Sequence, residues 1–153
     1  MEEKKPEVIS DYRIERAQAE DLQSMLALWR IIPGLGIGRG DEEEALKAFL
    51  AKNPSTCLVL RENERLIGTV LGGFDGRRGY LYHLAVHPDY QGRGYGKQLL
   101  QQVIQEFKIL GTLKIHLFTF KDNPAAAKFY ENQGWEQRQD IIVFSQDTGN
   151  NIN

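Results

Sequence analysis

The chain has 153 residues, 41% of them hydrophobic, and its 19 Lys and Arg residues against 21 Asp and Glu residues give a formal charge of −2. This length predicts one domain with a sizeable core, and the near-zero charge gives no electrostatic reason to expect nucleic acid or an acidic membrane as a partner. Since no apolar run reaches the roughly 18 residues of a membrane span, we expect a cytoplasmic protein without a membrane partner.

Charged and polar residues without periodicity occupy both ends of the chain. They predict a flexible arm at 1–10 and a flexible polar tail at 146–153. No linker or repeat divides the residues between them, so we expect a single domain at 11–145.

Hydrophobic periodicity and turn signals predict the order β-α-α-β-β-β-α-β-α-β, a mixed α/β fold with a meander followed by a βαβ crossover. The predicted strands are 12–16, 56–62, 65–75, Tyr80 to Val86, 112–120 and, as one strand or a pair, 135–145. The first helix is predicted at about 19–30, with an inward stripe formed by Leu22, Met25, Leu26 and Trp29. The second is predicted between an N-cap at Asp41 and Asn53. A third carries an inward stripe from Leu99 to Leu110 and is closed by Gly111, and a fourth runs between an N-cap at Asn123 and Gly134.

Two features outside these elements allow alternative interpretations. In the segment 31–40 the glycines stand at every second position, a spacing that differs from that of a nucleotide-binding loop. The segment either contributes to a binding site or is a flexible connector. Cys57 is the one cysteine and lies in an apolar run, which favours a small buried hydrophobe over a reactive thiol.

The segment 91–97, directly before the third predicted helix, alternates glycines with side chains. A helix start has unpaired N–H groups and the positive end of the helix dipole, so this turn predicts a phosphate or pyrophosphate site. A Walker A loop is excluded because Gln91 and Gln98 stand where it needs Gly and Ser or Thr. A dinucleotide loop is excluded because Lys97 stands where it needs the third glycine.

The turn instead fits Gln-x-x-Gly-x-Gly, formed by Gln91, Gly94 and Gly96. With it, the chain resembles the GNAT superfamily of acetyl-CoA-dependent N-acetyltransferases. The segment 123–135 is similar to the family's N-x-x-A-x-x-F-Y-x-x-x-G-[FW] helix, and the segment 68–76 is similar to that of the small bacterial YpeA-like branch. The resemblance covers roughly residues 12–144.

The resemblance implies a GNAT fold, with a mostly antiparallel sheet and a splayed central strand pair. It also implies direct transfer of acetyl from acetyl-CoA to an amine, on a small molecule or a protein, by a monomer or homodimer without a metal. The family pattern places coenzyme A against Leu84, Ala85, Val86, Gln91, Gly92, Arg93, Gly94, Tyr95, Gly96, Lys97, Asn123 and Tyr130. The side chains of Arg93 and Lys97 either contact the phosphates or are solvated surface cations. Asn123 either binds the coenzyme A arm or serves only as a helix N-cap.

The resemblance further assigns catalytic and acceptor-side roles. Tyr130 matches the general acid that protonates the departing thiolate, although an aromatic at helical spacing can also be a core residue. A backbone N–H near Leu84 matches the oxyanion donor. If the segment 31–40 and the preceding helix line the acceptor site, the residues involved are Trp29, Leu35, Ile37 and Arg39.

The general base is not assigned by the sequence. Tyr80 stands where some family members have a glutamate, and strand alternation puts Tyr80 and Leu84 on one face and His83 on the other. Histidine is a residue type that can act as a base near neutral pH, so His83 is a candidate, but it could be structural, and His116, Asp75, a water chain or an already neutral amine are alternatives. A different class of function, a CoA-binding sensor without turnover, also remains open.

Overall fold

The structure is a computed structural model that describes residues 12–150; the predicted arm at 1–10 and the last residues of the predicted tail lie outside them. Its strands are β1 (Tyr12–Arg16), β2 (Cys57–Glu62), β3 (Arg65–Phe74), β4 (Gly79–Val86) and β5 (Ile115–Leu117). Its helices are α1 (Leu22–Arg30), α2 (Glu43–Lys52), α3 (Tyr95–Ile109) and α4 (Pro124–Asn132). Two short 3₁₀ turns, Ala19–Asp21 and Pro88–Tyr90, precede α1 and α3.

The strands form one sheet in the order β1-β2-β3-β4-β5. The first three pairings are antiparallel and β4 pairs with β5 in parallel, across the crossover through α3. The mixed α/β fold with a mostly antiparallel sheet is therefore confirmed.

Apolar residues on the two faces of the sheet form two core clusters. The first, the α1 cluster, joins α1 and α2 to the sheet and includes Trp29, Leu46 and Cys57. The second, the α3 cluster, joins α3 to the other face and includes Leu99, Val103 and Phe107. The predicted inward stripe of α1 is buried as expected, but Leu110 lies beyond the end of α3 and is exposed.

β4 contains a bulge that the alternation pattern did not predict. Thr69 pairs with Ala85 and Leu71 with Tyr82, so two residues of β4 lie opposite one residue of β3. His83, within the bulge, has a φ of 49°, a left-handed conformation that is uncommon outside glycine. The extra residue reverses the alternation: Leu84 packs against the α3 cluster, so its predicted placement on one face with Tyr80 is wrong.

The β4–β5 pairing is short. It ends at Leu81 and Leu117, and the rest of β4 has no β5 partner in residues 12–150. We call this point of divergence the fork. The predicted strand at 112–120 is thus reduced to three residues, Ile115–Leu117, because the strands diverge just before the bulge in β4.

The strand predicted at 135–145 is absent, and the described chain after α4 contains neither helix nor strand. The four consecutive apolar residues from Ile141 to Phe144 are all exposed. An unbroken apolar run does not specify which face should be buried, so the pattern had no basis for a register.

The helix ends test the predicted caps. At α4 the Asn123 side chain accepts a hydrogen bond from the Ala126 N–H at 3.2 Å, as predicted for an N-cap. At α2 the prediction is wrong: the N-cap is Glu42. The Asp41 side chain instead accepts hydrogen bonds from the Gly38 N–H and from His83, at 2.9 Å each.

Candidate functional site

The glycine turn, residues 91–96, is an open loop that leads from β4 into α3. Gly92 and Gly94 have φ values of 80° and 83°, and a Cβ built on either would meet no atom within 4 Å. At the start of the turn, Gln91 Nε2 donates to the Val86 carbonyl at 2.9 Å, which fixes the turn to the end of β4. The conformation therefore needs glycine, and the space beside it is free.

The N-terminus of α3 presents free donors to this space. The Gln98 N–H bonds the Gly94 carbonyl at 3.1 Å, so the N–H groups of residues 95–97 precede the first intrahelical bond. The first turn carries no acidic side chain. An anion would meet unpaired donors and the positive end of a helix of 15 residues.

The side chains of the turn have different surroundings. Arg93 donates to the Asp89 carbonyl at 3.3 Å and lies 5.0 Å from the centre of the Tyr90 ring, whereas Lys97 is exposed. Tyr95 is buried against the Tyr12 ring, at 5.3 Å, so only its backbone faces the turn.

Tyr130 and the end of β4 that follows the fork pack against the same core cluster. Leu84 and Val86 of β4 and Tyr130 of α4 all pack against the α3 cluster. A Cβ on Gly96 would lie 3.6 Å from the Phe129 ring, so the start of α3 and α4 are in contact. Predicted CoA-binding residues from three separate segments are thereby brought to one region.

Burial affects the chemistry of Tyr130. Its ring packs edge-on against Phe129 and Trp135, at 5.1 and 5.7 Å between ring centres. Desolvation raises the pKa of Tyr130 to about 12, which keeps the hydroxyl protonated at neutral pH. The hydroxyl has no hydrogen-bond partner within residues 12–150, yet it is not among their fully buried unpaired atoms. With no competing acceptor in this range, the hydroxyl is able to donate to a ligand.

The α1–α2 loop, residues 31–42, contacts the far side of the fork. A Cβ on Gly34 would lie 3.0 Å from the Asn123 side-chain nitrogen, and one on Gly36 would overlap the Phe120 ring at 2.6 Å. The loop is therefore packed against the connection between β5 and α4, and its glycines allow the close approach.

The acceptor-side candidates have unlike environments. Leu35 packs against the α1 cluster, Ile37 is exposed, and Arg39 is exposed and 3.9 Å from Asp147. Trp29 is only 1% exposed and lies beneath the His83 ring, 4.4 Å between ring centres.

His83 and Asp41 form a close pair next to the fork. His83 Nε2 and Asp41 Oδ1 are 2.9 Å apart, and the side chains are 12% and 15% exposed. Burial raises the pKa of Asp41, but the hydrogen bonds from His83 and from the Gly38 N–H outweigh it, so the pKa is lowered overall. Sequence reasoning missed Asp41 because its acidic side chain next to a helix start also fits an N-cap.

The other base candidates are held differently. The Tyr80 ring lies 5.8 Å from His116 and 6.5 Å from Phe118. Burial, followed by the charges of Arg78 and two further cations, lowers the pKa of His116. Asp75 Oδ1 accepts the Arg77 and Arg78 N–H groups, which makes it a turn residue of the β3–β4 hairpin.

Within residues 12–150 no helix is both long and apolar enough to cross a membrane. Nor do the described residues contain a group of three or more His, Cys, Asp or Glu side chains that could hold a metal ion.

The chain matches the model of the Acetyltransferase (GNAT) family over residues 22–135. An acetyltransferase of Yersinia pestis (strain Pestoides F) is 32% identical over 126 residues, 82% of this chain and 89% of the relative. An acetyltransferase of Pectobacterium atrosepticum is 34% identical over 117 residues, 76% of this chain and 82% of the relative. This chain belongs to the GNAT family and is an acetyltransferase.

The fold agrees with solved structures. The PaiA N-acetyltransferase from Thermoplasma acidophilum, solved in complex with coenzyme A, has a TM-score of 0.75 at 19% identity over 86% of this chain and 93% of that one. The finer likeness to a YpeA-like branch stays a prediction.

Proposed function

We propose that this acetyltransferase takes its acetyl group from acetyl-CoA and transfers it directly to an amine, in the cytoplasm. The observation that carries the proposal is the open glycine turn before α3, which adjoins α4 and so brings free N–H donors close to Tyr130. Two tasks of the reaction, holding a pyrophosphate and stabilising a departing thiolate, then fall to neighbouring segments.

The glycine turn would hold the pyrophosphate. The N–H groups of residues 92–97 are the donors, and the absence of a Cβ at Gly92 and Gly94 lets phosphate oxygens approach the backbone. Lys97 adds a mobile positive charge. Arg93 supports the turn through its bond to the Asp89 carbonyl and can add charge from the rim.

The fork would receive the pantetheine arm and the thioester. Beyond Leu81, β4 has no β5 partner in residues 12–150, so backbone groups on that side are available to an extended ligand. An N–H at Leu84 directed there would stabilise the oxyanion that forms when the amine attacks. One such donor is typically worth about 3 kcal/mol of transition-state stabilisation.

Tyr130 would act on the departing sulfur. With its pKa raised to about 12, complete proton transfer to a thiolate, whose own pKa is about 8.5, is unfavourable. A hydrogen bond from the hydroxyl to the sulfur remains favourable and grows stronger as negative charge develops. Tyr130 therefore acts chiefly by stabilising the thiolate, and a proton from solvent completes the reaction.

A covalent enzyme intermediate is not part of the proposal. Cys57 is fully buried, and desolvation raises the pKa of its thiol to about 12, so the nucleophilic thiolate is scarcely populated at neutral pH. Direct attack of the amine on the thioester needs no other nucleophile.

Acetyl-CoA binding tests the proposal first. Acetyl-CoA at near-millimolar concentration should raise the melting temperature, because a ligand that binds only the folded state stabilises it, whereas ATP and NAD at the same concentration should not. No shift with acetyl-CoA would overturn the assignment of the donor. A screen of primary amines, read by release of free CoA, then tests the transfer itself.

A further inference from the structure

We propose that His83 is the general base of this reaction and that Asp41 is the residue that positions it. The inference rests on the proposed function, since it names the group that removes the proton from the acceptor amine.

The hydrogen bond between them fixes the tautomer of His83. Both Asp41 oxygens have hydrogen-bond partners, Oδ1 with His83 Nε2 and Oδ2 with the Gly38 N–H, and an ionised carboxylate can only accept. The proton of a neutral imidazole must then be on Nε2, so Nδ1 carries the free lone pair.

His83 Nδ1 is available to a substrate. It has no hydrogen-bond partner within residues 12–150 and is not one of the fully buried unpaired atoms of that range. The side chain is 12% exposed, so the ring is mostly enclosed while Nδ1 has no competing partner in this range, which is the arrangement that a general base needs.

Three neighbours restrict the ring and its backbone. The Trp29 ring packs against the His83 ring at 4.4 Å between ring centres and 34° between planes, and Asp41 holds Nε2 at 2.9 Å. The Thr69 hydroxyl accepts from Trp29 Nε1 and donates to the His83 carbonyl, at 2.8 Å each. In the described residues Asp41 is the only charged side chain that bonds or ion-pairs with His83. The ring is thus fixed before substrate arrives.

The bulge puts this base next to the reaction centre. Leu81 faces the α3 cluster, and regular alternation would put His83 on that same face. With the extra residue, His83 instead faces Trp29 of α1 and immediately precedes Leu84. The loop that supplies Asp41 also contacts Phe120 and Asn123 across the fork. One loop therefore contacts both sides of the fork and supplies the carboxylate.

The proton and bond changes balance. His83 Nδ1 takes a proton from the ammonium form of the acceptor, and the freed amine attacks the thioester carbonyl carbon to form a C–N bond. Collapse breaks the C–S bond; the thiolate, stabilised by Tyr130, is then protonated from solvent. The second proton lost by nitrogen also passes to solvent, and the imidazolium returns its proton there.

Asp41→Asn is the most informative variant. Asparagine keeps the shape and can donate its amide N–H to Nε2, which would shift the ring proton to Nδ1 and remove the basic site. Asp41→Glu keeps the acceptor charge and should restore part of the activity. Asp140→Asn, at an exposed ion pair with Arg138, is the control for loss of a carboxylate.

Two small acceptors separate a base from a structural support. Ethylamine is protonated at pH 7.5 and must lose a proton before attack, whereas hydroxylamine is already neutral. Asp41→Asn and His83→Gln should each lower transfer to ethylamine by about 10²-fold or more, as expected for loss of a general base. Transfer to hydroxylamine should fall by less than about tenfold, and the double variant should be no slower than His83→Gln.

The outcomes distinguish this inference from the proposed function. If the two variants lost the same fraction of transfer rate with both acceptors, or lost none with ethylamine, His83 would not be the general base. A water chain would then be favoured. A thermal shift with acetyl-CoA but no transfer to any amine would overturn the proposed function instead. Nitrogen-15 NMR of the His83 imidazole tests the tautomer independently of turnover. If the neutral wild-type ring carried its proton on Nδ1, the positioning role of Asp41 would be overturned.

Discussion

Trp29 and Thr69 are joined by a hydrogen bond inside the core, from the indole Nε1 to the hydroxyl oxygen at 2.8 Å. The two side chains are 1% and 0% exposed. The same hydroxyl donates to the carbonyl of His83 at the bulge, so Thr69 connects α1 with the irregular part of β4. Buried polar groups need such partners, which explains a threonine at a position that would otherwise suit valine.

Replacing Thr69 by valine should destabilise the protein by about 2 kcal/mol. The shape is kept, but Trp29 Nε1 and the His83 carbonyl would both lose a partner in a dry environment, and each unsatisfied group costs about 1–3 kcal/mol before relaxation. Urea denaturation of the purified variant measures the change. The control is Thr69→Ser, which keeps the hydroxyl and should cost about 1 kcal/mol for the lost methyl group. Equal stability of both variants would contradict the account.

The same core shows what the sequence could predict. The stripe of α1 was predictable because Leu22, Met25, Leu26 and Trp29 recur with helical period, and burial of that stripe needs no information from elsewhere in the chain. The glycine turn was predictable because the conformations of Gly92 and Gly94 are local requirements.

The bulge and the Asp41–His83 pair were not predictable by these rules. A bulge depends on which residues of two strands pair, and no local pattern around His83 records that choice. Asp41 and His83 are 42 positions apart, and only the tertiary fold brings them to 2.9 Å. For this reason the sequence left the general base open, whereas the local glycine pattern was enough to predict an anion-binding turn before α3.

Gly94→Ala should weaken acetyl-CoA binding by about tenfold or more. A Cβ there occupies the open side of the turn, where the pyrophosphate must approach the backbone. The left-handed conformation also costs an L-residue roughly 1–2 kcal/mol of stability. Titration calorimetry measures the affinity and chemical denaturation the stability.

Gly76→Ala is the matched control for this strain. Gly76 has a φ of 97° and no atom within 4 Å of a built Cβ, but it lies in the turn between β3 and β4. This variant should lose similar stability while binding acetyl-CoA normally. If both variants bound acetyl-CoA equally, the turn at Gly94 would not be the pyrophosphate site.

Tyr130→Phe should lower kcat by about 10²-fold with little change in the affinity for acetyl-CoA, because it removes a donor needed mainly as the thiolate forms. Steady-state rates and titration calorimetry test the two parts. Tyr12→Phe, a tyrosine of β1 that packs against Tyr95, should leave kcat unchanged. A Tyr130→Phe enzyme with the wild-type rate would return Tyr130 to the role of a core aromatic.

Glu15 should make stability depend on pH in the acid range. The hydrogen bond from Arg61, at 2.5 Å, is the main reason that the pKa of Glu15 is lowered from 4.5. Because the folded pKa is the lower one, this stabilisation is complete above the unfolded pKa and is lost as the pH falls through the folded value.

Glu15→Gln tests the sign of this effect. Its free energy of unfolding should decline less steeply than that of the wild type between about pH 5 and 3, and at pH 7 it should be lower by about 0.2–1 kcal/mol, the range for exposed pairs. Denaturation curves across this pH range give both values. Parallel curves for the two proteins would show that the ion pair does not contribute.

Cys57→Ala should retain the wild-type turnover within about twofold. The thiol is buried in the α1 cluster with a pKa of about 12, and direct transfer requires no enzyme nucleophile. The lost packing should lower stability by about 1 kcal/mol, since a fully buried side chain is shortened. Wild-type protein incubated with acetyl-CoA alone and quenched in acid should show no added acetyl group at Cys57 by mass spectrometry. An acetylated Cys57, together with a large loss of turnover in a folded Cys57→Ala protein, would replace direct transfer with a covalent intermediate.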